Sequence, residues 1–108
     1  MLTSITIVKK PHPKDPALGY VLQPDTGLPA KVKTGDLITF LLGEGVNGLS
    51  ITFTDRSPFG TLMTVAYDQP VEVTEAHDPR RSNSYTYSCR TADGISTDDG
   101  GEVEIVHN

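Results

Sequence analysis

The chain has a single cysteine among its 108 residues, so no disulfide can form within it and packing alone must hold its fold. It also lacks any apolar run near the roughly 20 residues that span a bilayer as a helix. Basic residues are too few for a nucleic-acid binder, with 9 lysines and arginines against 14 acidic residues and a net charge of −5. We therefore expect one domain over residues 1–108 that binds neither nucleic acid nor membrane.

The first ten residues, MLTSITIVKK, do not have the order of an export signal. A signal peptide starts with basic residues and continues with roughly 7–15 apolar ones. Here the lysines follow the apolar residues, and Ile5 and Ile7 alternate with Thr6 and Val8. This order predicts a first β-strand and a cytoplasmic location.

A period of two dominates the rest of the chain. Apolar and polar residues alternate at 38–40, 49–53, 71–73, 85–89 and 103–105. This alternation is typical of antiparallel sheets with one buried face. Clusters of proline, glycine and aspartate separate the segments and favour turns, and no window has a helical period. The pattern predicts an all-β, Greek-key β-sandwich of seven or eight strands, with residues 10–28 as a long irregular connection that carries a short strand at 20–22.

The alternation also predicts which side chains face the core. We expect the buried set to be Ile5, Ile7, Val32, Ile38, Phe40, Leu49, Ile51, Phe53, Val65, Val71, Val73, Tyr87, Cys89, Val103 and Ile105.

Three segments resemble the cupredoxin family, the blue-copper β-sandwich. VKTGDLITF at 32–40 is similar to the family's V-x-x-G-D-x-V-x-F strand entry, and LSITF at 49–53 to its H-x-V-x-F strand. YTYSC at 85–89, followed by GGEVEI at 100–105, is similar to its closing hairpin. The resemblance implies a cupredoxin-like sandwich over residues 30–106.

The resemblance also implies where copper ligands belong, and three of the four are missing. The family's two histidines fall at Leu49 and Ala92, its thiolate at Cys89 and its axial methionine at Thr97. A type 1 copper centre needs imidazole nitrogen and thiolate sulfur. We therefore expect a scaffold without its copper, and no cofactor.

Cys89 and an acidic loop are the first candidate sites. Cys89 shares a strand face with two tyrosines, which favours a buried side chain, while the alternative is a reactive thiol. In the loop RTADGISTDDG, the carboxylates of Asp93, Asp98 and Asp99 are the kind of ligand that calcium takes. The alternative there is an ordinary solvated turn.

Two further loops carry candidate side chains. Glu75, His77 and Asp78 combine two carboxylates with an imidazole, but the sequence places no second histidine beside them, so a turn starting at Asp78 is the other interpretation. In the loop DRSPFG, Phe59 together with Arg56 could bind a protein partner. Alternatively, Phe59 folds back and caps the open end of the sandwich.

Nothing in the sequence has the pattern of an enzyme's catalytic residues. We expect a small non-catalytic binding or structural module that contacts a protein partner or forms a homodimer. The alternative function is divalent-metal binding of the calcium type by the acidic loop at 93–99, with His77 as a further candidate ligand.

Overall fold

The structure is a computed structural model that describes residues 1–97 and 100–107. Within these residues the chain is nearly all β, and the helical residues form one 3₁₀ turn at Pro16–Leu18. Nine strands are present in the described residues, slightly more than the seven or eight predicted. They are β1 (Leu2–Pro11), β2 (Tyr20–Pro24), β3 (Ala30–Val32), β4 (Leu37–Leu42), β5 (Ser50–Phe53), β6 (Thr64–Ala66), β7 (Val71–Glu72), β8 (Ser84–Arg90) and β9 (Gly101–Ile105).

The strands form two mixed sheets in a sandwich-like arrangement. The four-stranded sheet has the order β2-β1-β4-β7, in which β1 and β4 run parallel and pair Leu2 with Leu37. The five-stranded sheet has the order β3-β9-β8-β5-β6, in which β3 and β9 run parallel. The remaining pairs are antiparallel. β8 lies at the centre of the larger sheet, between β9 and β5.

The core lies between the sheets and centres on Tyr87. Its ring meets Phe40 of the opposite sheet edge to face at 5.1 Å and Phe53 of β5 at 5.5 Å between centroids. The predicted core set is confirmed with one exception, because Val71 is only half-buried. It lies on the two-residue edge strand β7, where the sheet covers it from one side only.

The prediction of a long irregular connection over 10–28 is wrong. β1 continues to Pro11 and pairs with β2 in a hairpin that His12 closes by donating its backbone N–H to the Gly19 carbonyl, 2.9 Å away. Lys9 and Lys10 interrupt the apolar alternation, but their backbone still pairs with β2. The strand is therefore longer than the apolar pattern indicates. The turn inside the hairpin is capped by Asp15, whose carboxylate accepts the Ala17 N–H at 3.0 Å.

Gly101 shows how closely strand β9 packs on the core. A Cβ atom added to this glycine would overlap the Tyr87 ring. The substitution Gly101→Ala should therefore destabilise the fold by about 1–3 kcal/mol, the usual cost of overpacking a core. Urea unfolding measures this change, with Thr86→Ala on the exposed face of the neighbouring strand as the control. Equal stability of the two variants would contradict the packing described here.

Candidate functional site

One end of the sandwich, called the Cys89 end, gathers the positions that the resemblance assigns to copper ligands. Ile51 pairs with Cys89 across β5 and β8, which sets Leu49 near the end of β8. The loop after β8 is then tied to both sheets. The Thr97 N–H donates to the Cys89 carbonyl at 3.1 Å, and the Leu22 N–H donates to the Ser96 carbonyl at 2.9 Å.

All four positions meet here, but their side chains have no metal-binding pattern. Leu49, Cys89 and Ala92 line a shallow recess of about 560 Å³. The fourth, Thr97, accepts the backbone N–H of Cys89 on its hydroxyl at 3.2 Å. A leucine, an alanine and a hydrogen-bonded threonine provide no imidazole and no thioether, so the thiol is the only soft donor among the four.

The Cys89 thiol is a buried core group. Its residue is 2% exposed, and desolvation raises the pKa of the thiol to about 12. The thiol is therefore protonated at neutral pH, whereas a nucleophile or metal ligand is a thiolate. The adjacent Arg90 lies on the exposed face of the strand, so its cation does not share the thiol's side. Of the two interpretations of Cys89, the structure supports the buried one.

The acidic loop lies only partly within the described residues. Asp93 is exposed and accepts a hydrogen bond from the Thr91 hydroxyl, which lowers the pKa of its carboxyl group. Asp98 and Asp99 lie outside the described residues. Calcium binding by this loop stays a prediction.

Phe59 belongs to the opposite end of the sandwich, called the Phe59 end. Its ring packs edge to face on Phe53 at 5.5 Å between centroids and the residue is 7% exposed. The Ser57 hydroxyl accepts the Phe59 N–H at 3.1 Å, and the Thr74 N–H donates to the Pro58 carbonyl at 3.0 Å. The capping alternative fits this geometry. Partner binding by Phe59 and Arg56 stays a prediction.

Arg56 is occupied by contacts within the chain. Its guanidinium carbon lies 4.5 Å from the Tyr85 ring centroid, and its Nη2 donates to the Ser82 carbonyl at 2.9 Å. This cation–π contact and hydrogen bond fasten the loop to the start of β8. The side chain therefore has a structural role that the sequence did not indicate.

The loop of Glu75, His77 and Asp78 also lies at the Phe59 end. The Asp78 carboxylate accepts the Arg80 backbone N–H at 2.9 Å, which lowers the pKa of Asp78. Arg81 lies 3.7 Å from a Glu75 oxygen. The expectation that no second histidine lies nearby is wrong, because the His107 ring lies 5.5 Å from the His77 ring. The two are 30 positions apart, and only the pairing of β8 with β9 brings them together.

Metal-ligating groups do not form larger clusters in the part of the chain that the structure describes. Within residues 1–97 and 100–107, no three His, Cys, Asp or Glu side chains lie together in a way that could hold a metal ion. The helical residues among them form nothing long and apolar enough to cross a membrane.

Comparison with known proteins gave no relative: no family model, no curated protein and no solved structure matches this chain.

The buried thiol makes a prediction about alkaline stability. The folded pKa of about 12 exceeds the ordinary value of 9.0, so the contribution of Cys89 to stability is complete below pH 9 and is lost as the pH rises toward 12. The free energy of unfolding should fall by roughly 1 kcal/mol per pH unit in that range because of this one group. Urea unfolding across the range measures the slope.

The variant Cys89→Ala is the control, since it should have a shallower slope whatever its absolute stability. Folded wild-type protein should also resist thiol labelling at pH 8. Rapid stoichiometric labelling without unfolding would show that the thiol is accessible and would overturn the buried interpretation.

Proposed function

We propose that the chain is a cupredoxin-like Greek-key sandwich that has no type 1 copper site and serves as a non-catalytic binding module. The observation that carries this proposal is the convergence of Leu49, Cys89, Ala92 and Thr97 at one end of the sandwich. Cys89 lies on β8, Leu49 directly precedes β5, and Ala92 and Thr97 lie in the loop after β8. Three of them have side chains that do not ligate copper.

The strand order supports the same proposal. The three sequence segments that carry the resemblance form β4, β5 and the β8–β9 hairpin, and they come from both sheets. Their buried residues face one shared core. Of the four positions, Leu49 alone is distant from the others in sequence, and the pairing of β5 with β8 brings it to the Cys89 end.

The chemistry of the Cys89 end favours binding over catalysis. The thiol is buried and protonated, and Thr97 uses its hydroxyl to accept a backbone hydrogen bond. Around them the recess has the hydroxyls of Ser50, Thr52 and Ser88. Such a surface can contact a partner, but it presents no activated nucleophile or base.

Copper titration tests the loss of the metal site. Wild-type protein with one equivalent of Cu²⁺ should develop no copper–thiolate band at about 600 nm, because Cys89 has no imidazole beside it. A triple variant with Leu49→His, Ala92→His and Thr97→Met restores the missing ligand types. If the four positions correspond to those of the family, this variant should gain the band.

The matched control adds Cys89→Ala to the triple variant, which should abolish the band while leaving the two imidazoles. A band in the wild-type protein would overturn the proposal. A triple variant that folds, as judged by circular dichroism, but stays colourless would show that the positions do not match a copper site.

We infer that a second copy of the chain is a candidate partner, because leucines are exposed on the outer face of the four-stranded sheet. Leu2 and Leu37 are cross-strand neighbours on the outer face of the four-stranded sheet and are 54% and 39% exposed. Half-buried Leu41 continues this face and lines a cavity with Tyr67, which is 39% exposed. The polar pair Ser4 and Thr39 lies between Leu37 and Leu41 on this face, so its exposed apolar side chains are separated, and a second copy would have to cover both groups.

The charges at the ends of this face suit a two-fold dimer. Strand alternation puts Lys10 on the face at the Cys89 end, while Glu72, paired beside Leu37, lies at the Phe59 end. Both side chains are exposed. A two-fold axis that lies in the interface plane and runs perpendicular to the strands would bring Lys10 of one copy toward Glu72 of the other.

Sedimentation velocity tests this self-association. Leu37→Lys should weaken it by roughly tenfold or more, because the interface would have to bury an unpaired charge. Leu62→Lys, at an equally exposed leucine outside this sheet, is the control and should leave association unchanged. A monomeric wild-type protein at high micromolar concentration would exclude the homodimer.

A further inference from the structure

Two of the chain's three histidines meet at the Phe59 end. The rings of His77 and His107, called the imidazole pair, lie 5.5 Å apart between centroids with an interplanar angle of 88°. We propose that the imidazole pair binds a divalent late transition-metal ion such as Zn²⁺ or Ni²⁺, with water in the remaining coordination positions.

The fold holds the imidazole pair together through one asparagine. The Asn83 side chain accepts the Asp78 N–H at 2.8 Å and donates to the Asp78 carbonyl at 2.9 Å, which fixes the loop next to His77. The backbone carbonyl of Asn83 accepts the Ile105 N–H at 2.9 Å, which fixes the strand that leads to His107. The hydrogen bonds of Asn83 therefore hold the segments that carry the two histidines close together.

The separation of the rings suits a shared ion. A tetrahedral zinc ion at about 2.0–2.1 Å from each nitrogen would hold two imidazole centroids roughly 5 Å apart. His107 is exposed, so its side chain can reorient toward the ion without repacking the core. Coordination would require the edge-to-face contact to turn so that a nitrogen of each ring faces the ion.

One polar atom of the His77 ring lacks a hydrogen-bond partner among the described residues. Its Nδ1 is buried and has no hydrogen-bond partner within the described part of the chain. Buried polar atoms in native structures are almost always satisfied, and an exception commonly indicates a water or an ion. A metal ion bound by Nδ1 would satisfy this atom and leave the proton on Nε2.

The surrounding charges do not oppose a cation. Arg80 and Arg81 lie beside this loop, but each is within 4.0 Å of a carboxylate of Glu75 or Asp78. The two cations and two anions balance, so the imidazole pair does not lie in a net positive field. Because these carboxylates already pair with arginines, the proposed site depends on nitrogen donors.

The nitrogen ligands of the imidazole pair determine which metal ions this site can bind. Imidazole suits zinc, nickel and copper, whereas calcium prefers six to eight oxygen ligands. This proposal is therefore distinct from calcium binding by the acidic loop, which lies at the Cys89 end. It is also independent of the proposed binding function, since neither histidine belongs to the recess or to the apolar sheet face.

Isothermal titration with Zn²⁺ on the full chain tests the site. The wild-type protein should bind one equivalent, and His77→Ala and His107→Ala should each weaken binding by roughly tenfold or more, since each removes half of the imidazole ligands. His12→Ala is the matched control, because this third histidine borders the cavity at the Cys89 end. It should leave the affinity unchanged.

Proton NMR on the wild-type protein tests the same site even if a variant is unstable. In the wild-type protein, Zn²⁺ should shift or broaden the imidazole signals of His77 and His107 but not those of His12, while Ca²⁺ should affect none of the three. Thermal unfolding in EDTA shows whether each variant folds without metal. Absence of zinc binding, perturbation of one histidine of the pair alone, or equal loss in the His12→Ala variant would overturn the proposal.

Discussion

The contacts of Tyr87 fix the spacing of the two sheets, and the rest of the structure depends on that spacing. Its ring lies edge to face on Phe40 across the sandwich and tilts against Phe53 on the neighbouring strand. On the third side Gly101 approaches so closely that no side chain fits there. Because Tyr87 lies midway along β8, this packing also sets where Tyr85 and Cys89 lie at the two ends of the strand.

The two ends of the sandwich are closed by different means. At the Cys89 end, backbone hydrogen bonds from Leu22 and Thr97 connect the loop after β8 to both sheets. At the Phe59 end, an aromatic ring fills the opening and Arg56 stacks on Tyr85 to hold its loop. The backbone of the loop thus holds the Cys89 end closed, whereas side chains close the Phe59 end.

The core and the strand faces were predictable because alternation reports directly on burial. Ile38 and Phe40 could be assigned from period two alone. The short strand predicted at 20–22 is the start of β2, but its pairing with β1 was missed, since the hairpin extends past the apolar part of β1. The burial of Phe59 depends on where its loop turns, and the imidazole pair depends on the pairing of distant strands. Local patterns carry neither kind of information, which is why the candidate sites were harder to predict than the fold.

The position of the histidines has a consequence for what metal binding would do to this fold. At the Cys89 end, backbone hydrogen bonds already hold the loop after β8. At the Phe59 end, His77 Nδ1 is buried and has no hydrogen-bond partner among the described residues, and His107 is the last of these residues. An ion bound there would link the loop after β7 to the segment after β9, joining a segment between the sheets to the end of the larger one. Its free energy of binding would then add to the stability of the folded state by mass action.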